Sequence, residues 1–583
     1  MNKDIKTIRE ILEYSRENFR DNIAFRLRAD AKCPPEQLSA DGKYRDITYK
    51  EFLIDIRMLA TALMEQGHKK IAILGKNSYE WALAYYATVC GGMVVIPLDK
   101  GLPAEEITSC LERSHADALY FDTDLAENVK TALEGGDFSG LTLKCWGKLP
   151  AECEAVFGKT EKMEEDLQYG RECLLDGSTC YANAEIDPDA MTAILFTSGT
   201  SGKSKAVMLS HRNIASCVYA MTEYIAFEQT DVNIAFLPFH HTFGNTGLLM
   251  MLANGVCNVF CDGLKYVQKN IEEYGVSVFV GVPLLVENMH AKIMKQVKKE
   301  GKYDKLRKGI ALSNFLRKCH IDARRRIFKD IHNALGGKLR MIVCGASALS
   351  PAVSKDFNDM GIITIQGYGL TETSPTLAAQ PIGATYYDAI GPFLCNVEGR
   401  IEDPDEDGVG ELVVRGPNVM LGYYEDPEET AKVIKDGWFY TGDLARIDEK
   451  GVLYLKGRKK NVIVLKNGKN VFPEELEEIV GRLPYVKECM VYGESRERNA
   501  KAGTEDDVAV TLRLVYDKDV LKQQLAEGIE PSEEAFYEIA KADIDLLNQD
   551  LPVYKQIKRI YLTEEAMEKT TTMKIKRYKV LNN

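Results

Sequence analysis

The sequence predicts an α/β protein with a large, multi-layer N-terminal domain and a small α+β domain at the C-terminal end. Three observations support this fold class. The chain of 583 residues is too long for a single hydrophobic core. Short apolar runs alternate with helical patterns from about residue 70 to about residue 445. After Gly410 the pattern changes to short strands separated by turns, which is typical of antiparallel sheets.

The large domain is predicted from buried strands and the helices between them, because uninterrupted apolar runs are typical of strands covered on both faces. The most apolar stretch, Leu248–Phe260, contains Gly255 and two asparagines, so it predicts a buried helix followed by a strand. Helices are also predicted at Tyr79–Cys90 and from near Pro103. Strands are predicted at Ile71–Leu74, Met93–Pro97, Met191–Phe196, Asn233–Leu237, Val276–Val282, Leu339–Cys344 and Ile362–Ile365.

The predicted domains are residues 1–459 and residues 460–583, with the boundary in the polar, basic segment Gly457–Asn461. Antiparallel strands are predicted before it at Glu411–Arg415 and Gly451–Leu455. The segment after it is long enough for a compact domain. Its predicted elements are helices at Pro473–Leu483 and Glu533–Leu546 and strands at Cys489–Tyr492, Val508–Val515 and Ile557–Leu562.

Charge and cysteine content exclude several classes of function. The 74 basic and 87 acidic residues give a net charge of −13, which argues against general nucleic-acid binding. The 14 cysteines include no CxxC pair, so a zinc site is not expected and the thiols are predicted to be reduced. The first residues lack a signal-peptide core, and no run of eighteen apolar residues is present. We therefore expect a cytoplasmic protein.

One segment departs from the acidic average. Residues 292–329 contain fourteen Lys or Arg and three Asp or Glu. A solvated helical face explains such a composition. A surface that contacts anionic lipid at the inner face of a membrane explains it as well. The sequence leaves both interpretations open.

The stretch from Thr197 to Lys205 predicts a loop that binds a polyphosphate. It combines five hydroxyl side chains, two glycines and two lysines directly after a predicted strand. Glycines allow backbone N–H groups to approach phosphate oxygens, and lysine supplies positive charge. The Walker A motif is excluded, because it needs four residues between its first glycine and Gly-Lys-Ser, whereas two separate Gly199 and Gly202. A flexible linker of similar composition is the alternative.

Further polar clusters follow other predicted strands. Each has a modest signal alone: paired histidines are commonly core residues, and a glycine before aspartate commonly marks a bend. Together with the loop they supply the groups that hold a nucleotide and magnesium, namely backbone donors, a lysine, carboxylates, an arginine and a tyrosine between glycines. The clusters are Leu237–Gly244, Gly345–Ser347, Gln366–Thr373, Tyr440–Asp443 and Lys456–Arg458.

In these motifs the chain resembles the adenylate-forming superfamily of acyl-CoA synthetases, adenylation domains and luciferases. Five motifs occur in the order found in that superfamily and span nearly the whole chain. They are the loop at Thr197–Lys205, YGLTET at Tyr368–Thr373, YTGD at Tyr440–Asp443, GRKKN at Gly457–Asn461 and KTTTMKIKR at Lys569–Arg577.

The resemblance implies a role for each matching residue. Lys574 would bridge the carboxylate and the phosphate during adenylation, Lys460 would be the hinge of a mobile C-terminal domain, and His241 rather than His240 would stand beside the acyl carboxylate. Thr371 and Glu372 would contact the α-phosphate and Mg²⁺, with Glu372 as the metal ligand. Asp443 and Arg458 would hold the ribose. The phosphates of ATP would contact Thr197, Ser198, Gly199, Thr200, Ser201, Gly202 and Lys205, and the adenine and acyl-AMP pocket would be lined by Gly345, Ala346, Ser347, Gln366, Gly367, Tyr368 and Gly369.

The resemblance further implies an enzyme that uses ATP and Mg²⁺ to convert a carboxylic acid through acyl-AMP to its coenzyme A thioester. The arrangement of Gly281–Leu284, the basic segment and Gly336–Arg340 is similar to long-chain fatty acyl-CoA synthetases. An aromatic or other hydrophobic acid, an acyl carrier protein as thiol acceptor, and a non-catalytic nucleotide sensor are the alternatives. In the loop, Ser201, Ser204 and Ala206 replace the usual Thr, Pro and Gly, and the missing proline frees one φ angle. Oligomeric state and pathway stay open.

Overall fold

The structure is a computed structural model of the chain. It describes residues 3–29, 38–39, 41–151, 153, 157, 160–197, 204–384, 386–465, 469–495, 508–525, 530–569 and 575–582. The chain divides into two compact units. The larger unit comprises Met1–Glu398 and Arg415–Phe439, and the smaller unit comprises Gly399–Val414 and Tyr440–Asn583.

The first of two eight-stranded sheets in the larger unit has a parallel centre of six strands. Its two outer strands run antiparallel to their neighbours. Because parallel strands end at the same edge, the segments after Ala235, Gly281, Cys344 and Gly369 emerge together there. The order across the sheet is Thr376–Ala379, Ile363–Gly369, Met341–Cys344, Val278–Gly281, Val232–Ala235, Cys257–Phe260, Ile23–Arg28 and Tyr44–Thr48.

The second sheet also has a parallel centre, and it ends in two antiparallel strands on one side. Strand Lys205–Ser210 pairs with Met191–Thr197 as a hairpin, and Gly422–Tyr423 pairs with Lys205–Ser210. The order is Gly422–Tyr423, Lys205–Ser210, Met191–Thr197, Val94–Leu98, Lys70–Leu74, Ala118–Asp122, Thr142–Trp146 and Glu161–Lys162.

Helices of the larger unit cover the sheets, and the apolar side chains between the layers form its cores. One core includes Ile234, Phe279 and Ile342 of the first sheet, and another includes Ala72, Leu119 and Ile194 of the second, all fully buried. The α-helices are Ile8–Phe19, Tyr49–Glu65, Tyr79–Cys90, Ala104–Ser114, Ala126–Glu134, Met163–Leu175, Cys180–Asn183, His211–Tyr224, Thr242–Ala253, Val267–Tyr274, Pro283–Lys299, Tyr303–Lys318, Arg324–Ile327, Lys329–Ala334, Pro351–Asp359 and Pro427–Val433.

The smaller unit is built from antiparallel strands and a separate helix-covered sheet. Before the chain enters it, Ile434–Lys435 pairs with the start of Trp438–Ile447. Its apolar core includes Leu476, Tyr485, Leu512 and Phe536. Its strands are Glu398–Glu402, Gly410–Arg415, Trp438–Ile447, Leu453–Arg458, Ile463–Val464, Asn470–Val471, Val486–Ser495, Val508–Tyr516 and Arg559–Thr563, and its α-helices are Pro473–Val480, Lys518–Lys522, Glu533–Gln549 and Arg577–Asn582.

The fold class expected from the sequence is confirmed, with a large α/β unit and a smaller α+β unit. The helix expected at Tyr79–Cys90 has those bounds, and Leu248–Phe260 contains the end of one helix and a strand, as expected. The polypeptide passes from one compact unit to the other after residues 398, 414 and 439. A domain boundary after residue 459 with a hinge at Lys460 concerns motion and stays a prediction. Within the described ranges, no helix combines the length and apolar character needed to span a membrane.

A buried histidine makes the stability of the larger unit depend on pH. His211 is 2% exposed, and its Nδ1 accepts a hydrogen bond from the backbone N–H of Ile8 at 3.3 Å. Burial, with a smaller contribution from the positive charge of Arg9, lowers the pKa of His211 from 6.5 to about 4. The unfolded chain therefore binds a proton at a higher pH than the folded chain, so stability falls as the pH drops through this window.

We expect the free energy of unfolding to fall by about 3 kcal/mol between pH 7 and pH 4 through this residue. His211→Asn keeps an acceptor near the position of Nδ1 but does not titrate, so its urea midpoint should depend less steeply on pH. The exposed His320 provides a control, and His320→Asn should retain the wild-type slope. Equal slopes for wild type and His211→Asn would contradict the assignment.

Candidate active site

The predicted phosphate loop closes a hairpin between two antiparallel strands. Thr197 and Lys205, at its two ends, are directly opposite each other, and the Thr197 hydroxyl donates a hydrogen bond to the carbonyl of Lys205 at 3.4 Å. The loop therefore leads into a strand, unlike the Walker loop, which leads into a helix. The other predicted phosphate contacts lie outside the described residues: Ser198, Gly199, Thr200, Ser201 and Gly202.

Lys205 is held by a carboxylate and an aromatic ring. Its Nζ lies 2.5 Å from Oε1 of Glu429 and 4.6 Å from the centre of the Tyr423 ring. Glu429 also accepts from Nζ of Lys432 at 2.8 Å. Hydrogen bonds from these two ammonium groups, first Lys205 and then Lys432, lower the pKa of Glu429 from 4.5 to about 2. The Glu429 carboxylate is therefore charged at neutral pH.

Tyr423 joins Lys205 to Glu372, the predicted metal ligand. The Tyr423 hydroxyl donates a hydrogen bond to Oε1 of Glu372 at 3.0 Å. Glu372 lies in the 3₁₀ turn Thr371–Thr373, and its carbonyl accepts from the backbone N–H of Met420 at 2.8 Å. The structure thus brings Lys205, Glu372 and the neighbouring Thr371 to one region of the larger unit.

The residues predicted to line the adenine pocket lie at the ends of two neighbouring parallel strands: Gly345–Ser347 follow Met341–Cys344, and Gln366–Gly369 form the end of Ile363–Gly369. Gly345 donates a backbone hydrogen bond to the carbonyl of Gly281 at 3.2 Å. A side chain at Gly345 would lie 3.5 Å from the carbonyl of Gly367. Ala346 has φ +73°, a left-handed conformation that is uncommon for residues other than glycine and occurs at functional sites. Oε1 of Gln366 accepts from the backbone N–H of Leu349 at 2.7 Å. The structure brings this set together: Gly345, Ala346, Ser347, Gln366, Gly367, Tyr368 and Gly369.

The two histidines stand at the start of helix Thr242–Ala253. His241 immediately precedes the helix, and the rings of His240 and His241 are 4.3 Å apart. Nε2 of His240 lies 3.4 Å from a carboxylate oxygen of Asp99. A narrow cleft with a volume of about 10 Å³ adjoins the helix. Its lining is mostly apolar and includes Phe236, Leu237, Phe239, Phe243, Gly244, Gly247, Leu248 and Val280.

That apolar cleft reaches the adenine-pocket residues. Phe243 lines the cleft, and a side chain at Gly345 would lie 3.0 Å from its ring. Glycine at position 345 therefore lets the backbone approach the phenylalanine closely. An apolar ligand group bound in the cleft and a ligand ring bound beside Gly345 would therefore be neighbours.

The smaller unit contains the predicted ribose pair. Asp443 and Arg458 are opposite each other on two antiparallel strands, and Nε of Arg458 lies 2.6 Å from Oδ1 of Asp443. The Asp443 carboxylate is 8% exposed, whereas the Arg458 side chain is 37% exposed. Lys460 lies in the exposed 3₁₀ turn Lys459–Asn461. Lys574 lies outside the described residues.

The structure adds three residues that motif spacing does not predict, namely Tyr423, Glu429 and Arg113. Arg113 donates to the hydroxyl of Ser204 at 3.0 Å and to its carbonyl at 2.9 Å. Its guanidinium also lies 5.1 Å from the centre of the Phe196 ring. Arg113 therefore restrains the end of the loop at the serine that replaces the usual proline.

Comparison with known proteins identifies the family. Residues 25–424, more than half of the chain, match the family model described as AMP-binding enzyme. The chain belongs to the AMP-binding enzyme family. The adenylate-forming class expected from the five motifs is therefore confirmed, and the protein is an enzyme of that class.

Curated relatives in this family are fatty-acid ligases. Fatty acyl-CoA synthetase B of Dictyostelium discoideum is 28% identical over 78% of this chain and 71% of its own length. Long-chain-fatty-acid–CoA ligase FadD15 of Mycobacterium bovis is 26% identical over 96% of this chain and 94% of its own length. The long-chain-fatty-acid–[acyl-carrier-protein] ligase AEE15 of Arabidopsis thaliana is 26% identical, over 81% and 74%.

Solved structures of adenylate-forming enzymes share the fold. The anthranilate CoA ligase AuaEII, in complex with anthranoyl-AMP, aligns with a TM-score of 0.73 at 18% identity and covers 99% of this chain and 96% of its own. ATP-bound MatB from Rhodopseudomonas palustris aligns with a TM-score of 0.69 at 22% identity and covers 98% of each chain.

Two glycines of the adenine-pocket motif provide a matched test of the packing. A Cβ at Gly369 would lie 1.7 Å from the carbonyl oxygen of Pro375, whereas a Cβ at Gly367 has no neighbour closer than 3.8 Å. Gly369→Ala should therefore destabilise the larger unit by about 1–3 kcal/mol through overpacking. Gly367→Ala should leave the melting temperature nearly unchanged, and thermal unfolding followed by circular dichroism measures both. Equal melting temperatures for the two variants would refute the close approach at Gly369.

Proposed function

We propose that the protein activates a carboxylic acid with ATP to form acyl-AMP and then transfers the acyl group to the thiol of coenzyme A. The observation that supports this most is the contact series from Lys205 through Tyr423 to Glu372. It connects a cation to a carboxylate three residues after Gly369, the last of the residues proposed to line the pocket. The lining of the narrow cleft next to Gly345 is mostly apolar, which favours a hydrophobic group over a charged one at this position.

The first half-reaction needs positioning and charge neutralisation. A carboxylate is a poor acyl donor, because its leaving group would be an oxide. Attack of a carboxylate oxygen on the α-phosphorus of ATP forms the P–O bond of acyl-AMP and breaks the bond to pyrophosphate, which leaves with the electron pair. Lys205 and the loop before it would hold the β- and γ-phosphates, and Thr371 would contact the α-phosphate. His241 would stand beside the acyl carboxylate.

Glu372 fits the role of a magnesium ligand. Mg²⁺ is commonly bound by one or two protein carboxylates together with substrate phosphates and water. The Tyr423 hydrogen bond fixes one oxygen of Glu372, which orients the carboxylate. When bound, Mg²⁺ would neutralise charge on the phosphate oxygens. Asp443 and Arg458 are proposed to hold the ribose hydroxyls. Although the two residues form an ion pair with each other, the Arg458 side chain is partly exposed and can still be reached by a diol.

The second half-reaction forms the thioester. The thiol sulfur attacks the acyl carbon of acyl-AMP, a C–S bond forms, and AMP leaves with the electron pair of the broken C–O bond while the thiol proton passes to solvent. Coenzyme A is the proposed thiol, since the Dictyostelium and Mycobacterium relatives carry CoA ligase names. An acyl carrier protein is the second candidate acceptor, because the Arabidopsis relative is named for it.

A long-chain fatty acid is the proposed acyl substrate. The names of the Mycobacterium and Arabidopsis relatives, which are long-chain-fatty-acid ligases, favour it. An aromatic acid is the alternative, since the AuaEII structure contains an anthranoyl group. A nucleotide sensor without catalysis is the alternative from a different class.

A panel of acids distinguishes these candidates. Purified protein is incubated with ATP, Mg²⁺ and saturated fatty acids of increasing length or aryl acids, with coenzyme A, with acyl carrier protein or without a thiol, and pyrophosphate release is measured. The proposal expects the highest kcat/KM with a long chain and coenzyme A. A higher value for an aryl acid or for the carrier protein selects that alternative. A protein that binds ATP without releasing pyrophosphate for any acid is a sensor, and the proposed activity is then wrong.

The two half-reactions should separate in a variant of Lys574. If this lysine neutralises charge only in adenylation, Lys574→Ala should lose acyl-AMP formation by about a thousandfold yet retain thioester formation from supplied acyl-AMP. Lys579→Ala is the matched control, since Lys579 lies in the same basic tail and pairs with Glu568 at 2.7 Å. Equal losses in both half-reactions would refute the assignment.

Tyr423 is proposed to position Glu372 for the metal. Tyr423→Phe keeps the ring beside Lys205 and removes the hydrogen bond to the carboxylate, which is worth about 1.5 kcal/mol or more. We expect about a tenfold rise in the Mg²⁺ concentration needed for half-maximal pyrophosphate release. Tyr424→Phe removes the adjacent hydroxyl, which accepts from Nζ of Lys70 at 2.7 Å, and should leave that concentration unchanged. The same Mg²⁺ dependence in both variants would show that Tyr423 has no such role.

A further inference from the structure

Helix Tyr303–Lys318 has apolar residues on two opposite faces. On the inner face, Leu306 and Ile310 are 8% and 7% exposed and pack into the core with Phe328. On the outer face, Leu312 is 54% exposed and Phe315 is 63% exposed. Inner-face burial accounts for the fold of the helix. It gives no reason for two large apolar side chains in solvent.

The turn after the helix adds a third exposed apolar residue in a fixed place. His320 has φ +59°, and its N–H bonds to the carbonyl of Arg317 at 3.0 Å. The N–H of Ile321 bonds back to the carbonyl of Leu316 at 3.0 Å. This is the Schellman arrangement, which holds Ile321 beside the last turn of the helix. Ile321 is 54% exposed. Leu312, Phe315 and Ile321 are together called the outer apolar face.

Positive charge accompanies this outer apolar face. Lys305, Lys308 and Lys318 are exposed, and none of them pairs with a carboxylate in the described ranges. The acidic Asp322 is neutralised by Arg324, whose Nη2 lies 2.7 Å from it. The exposed cations are therefore available to an anionic partner, and the apolar side chains stand among them.

We propose that the outer apolar face and its lysines dock the protein on a membrane surface containing anionic phospholipid. Amphipathic helices that lie in the interface combine Phe or Leu with Lys or Arg in this way. The chain as a whole has a net charge of −13, so an anionic surface repels most of it. Attraction confined to residues 292–329, with fourteen basic and three acidic residues, orients the molecule with this helix towards the lipid.

The two components of the surface make separable contributions. Each cation near an anionic leaflet contributes about 1 kcal/mol, so removal of three lysines should lower the vesicle partition coefficient by about a hundredfold. Truncation of the apolar side chains removes surface that enters the headgroup region, and about a tenfold loss is expected for each large residue. Salt should screen the first contribution but not the second.

Vesicle co-sedimentation tests the proposal on the full-length protein without ATP or acid. Vesicles of phosphatidylcholine alone are compared with vesicles that contain phosphatidylglycerol, at low and high salt. Binding is expected only with phosphatidylglycerol and should weaken with salt. The variant K305Q/K308Q/K318Q should lose binding by about a hundredfold, and L312S/F315S should lose it even at low salt.

Matched controls carry the same changes elsewhere. K50Q/K148Q/K541Q removes three exposed lysines and alters the net charge equally, and it should bind as wild type. Leu175→Ser truncates a leucine that is 77% exposed on another helix and should also bind as wild type. Thermal unfolding verifies that each variant folds. A Phe315→Trp variant reports contact directly, because its fluorescence should be quenched by brominated phosphatidylglycerol.

Several results would overturn the proposal. They are equal binding to neutral and anionic vesicles, equal losses in test and control variants, and no quenching at position 315. Light scattering adds another: if wild type is a dimer and L312S/F315S is a monomer, a second copy of the chain covers the face. Because no nucleotide or acid is present, these outcomes are independent of whether the proposed ligase activity is correct.

Discussion

Tyr423 is in contact with both the proposed phosphate-binding cation and the proposed metal ligand. Its ring faces the ammonium of Lys205, and its hydroxyl bonds to the carboxylate of Glu372. Lys205 begins a strand of the second sheet, whereas Glu372 follows a strand of the first. The two-residue strand Gly422–Tyr423 extends the second sheet and so connects both. This contact helps to fix the spacing between the proposed phosphate-binding cation and the proposed metal-binding carboxylate, which belong to different sheets.

Much of the fold could be predicted from the sequence because its central strands are continuous apolar runs bounded by turns. For this reason the predicted strand Ile71–Leu74 agrees with the observed strand, Lys70–Leu74, to within one residue. Strand Lys205–Ser210 was not predicted as a partner of Met191–Thr197, since its first residues are read as part of the loop. Gly422–Tyr423 is two residues long and has no periodicity, so only pairing in three dimensions defines it.

In the candidate site, too, some residues could be assigned from the sequence and others could not. Glu372 and Lys205 occur in ordered motifs, which is why sequence alone could assign them hypothetical roles. Glu429 and Arg113 could not be assigned, because their partners are 224 and 91 residues away in the chain. The serine that replaces proline at position 204 predicts a looser loop. In the structure its hydroxyl accepts a hydrogen bond from Arg113. The consequence of a substitution therefore depended on a neighbour that no local pattern reveals.

The ion pair between Lys205 and Glu429 affects which anions can bind at Lys205. A phosphate bound by Lys205 as proposed would compete with the Glu429 carboxylate, which also pairs with Lys432. The exchange would replace one ion pair of Lys205 with another, so an incoming anion of higher charge density would be favoured. An acid substrate offers only another carboxylate, whereas a triphosphate offers several charges. If Lys205 binds a phosphate of ATP as proposed, Glu429 would compete more effectively with the carboxylate of the acid than with the triphosphate.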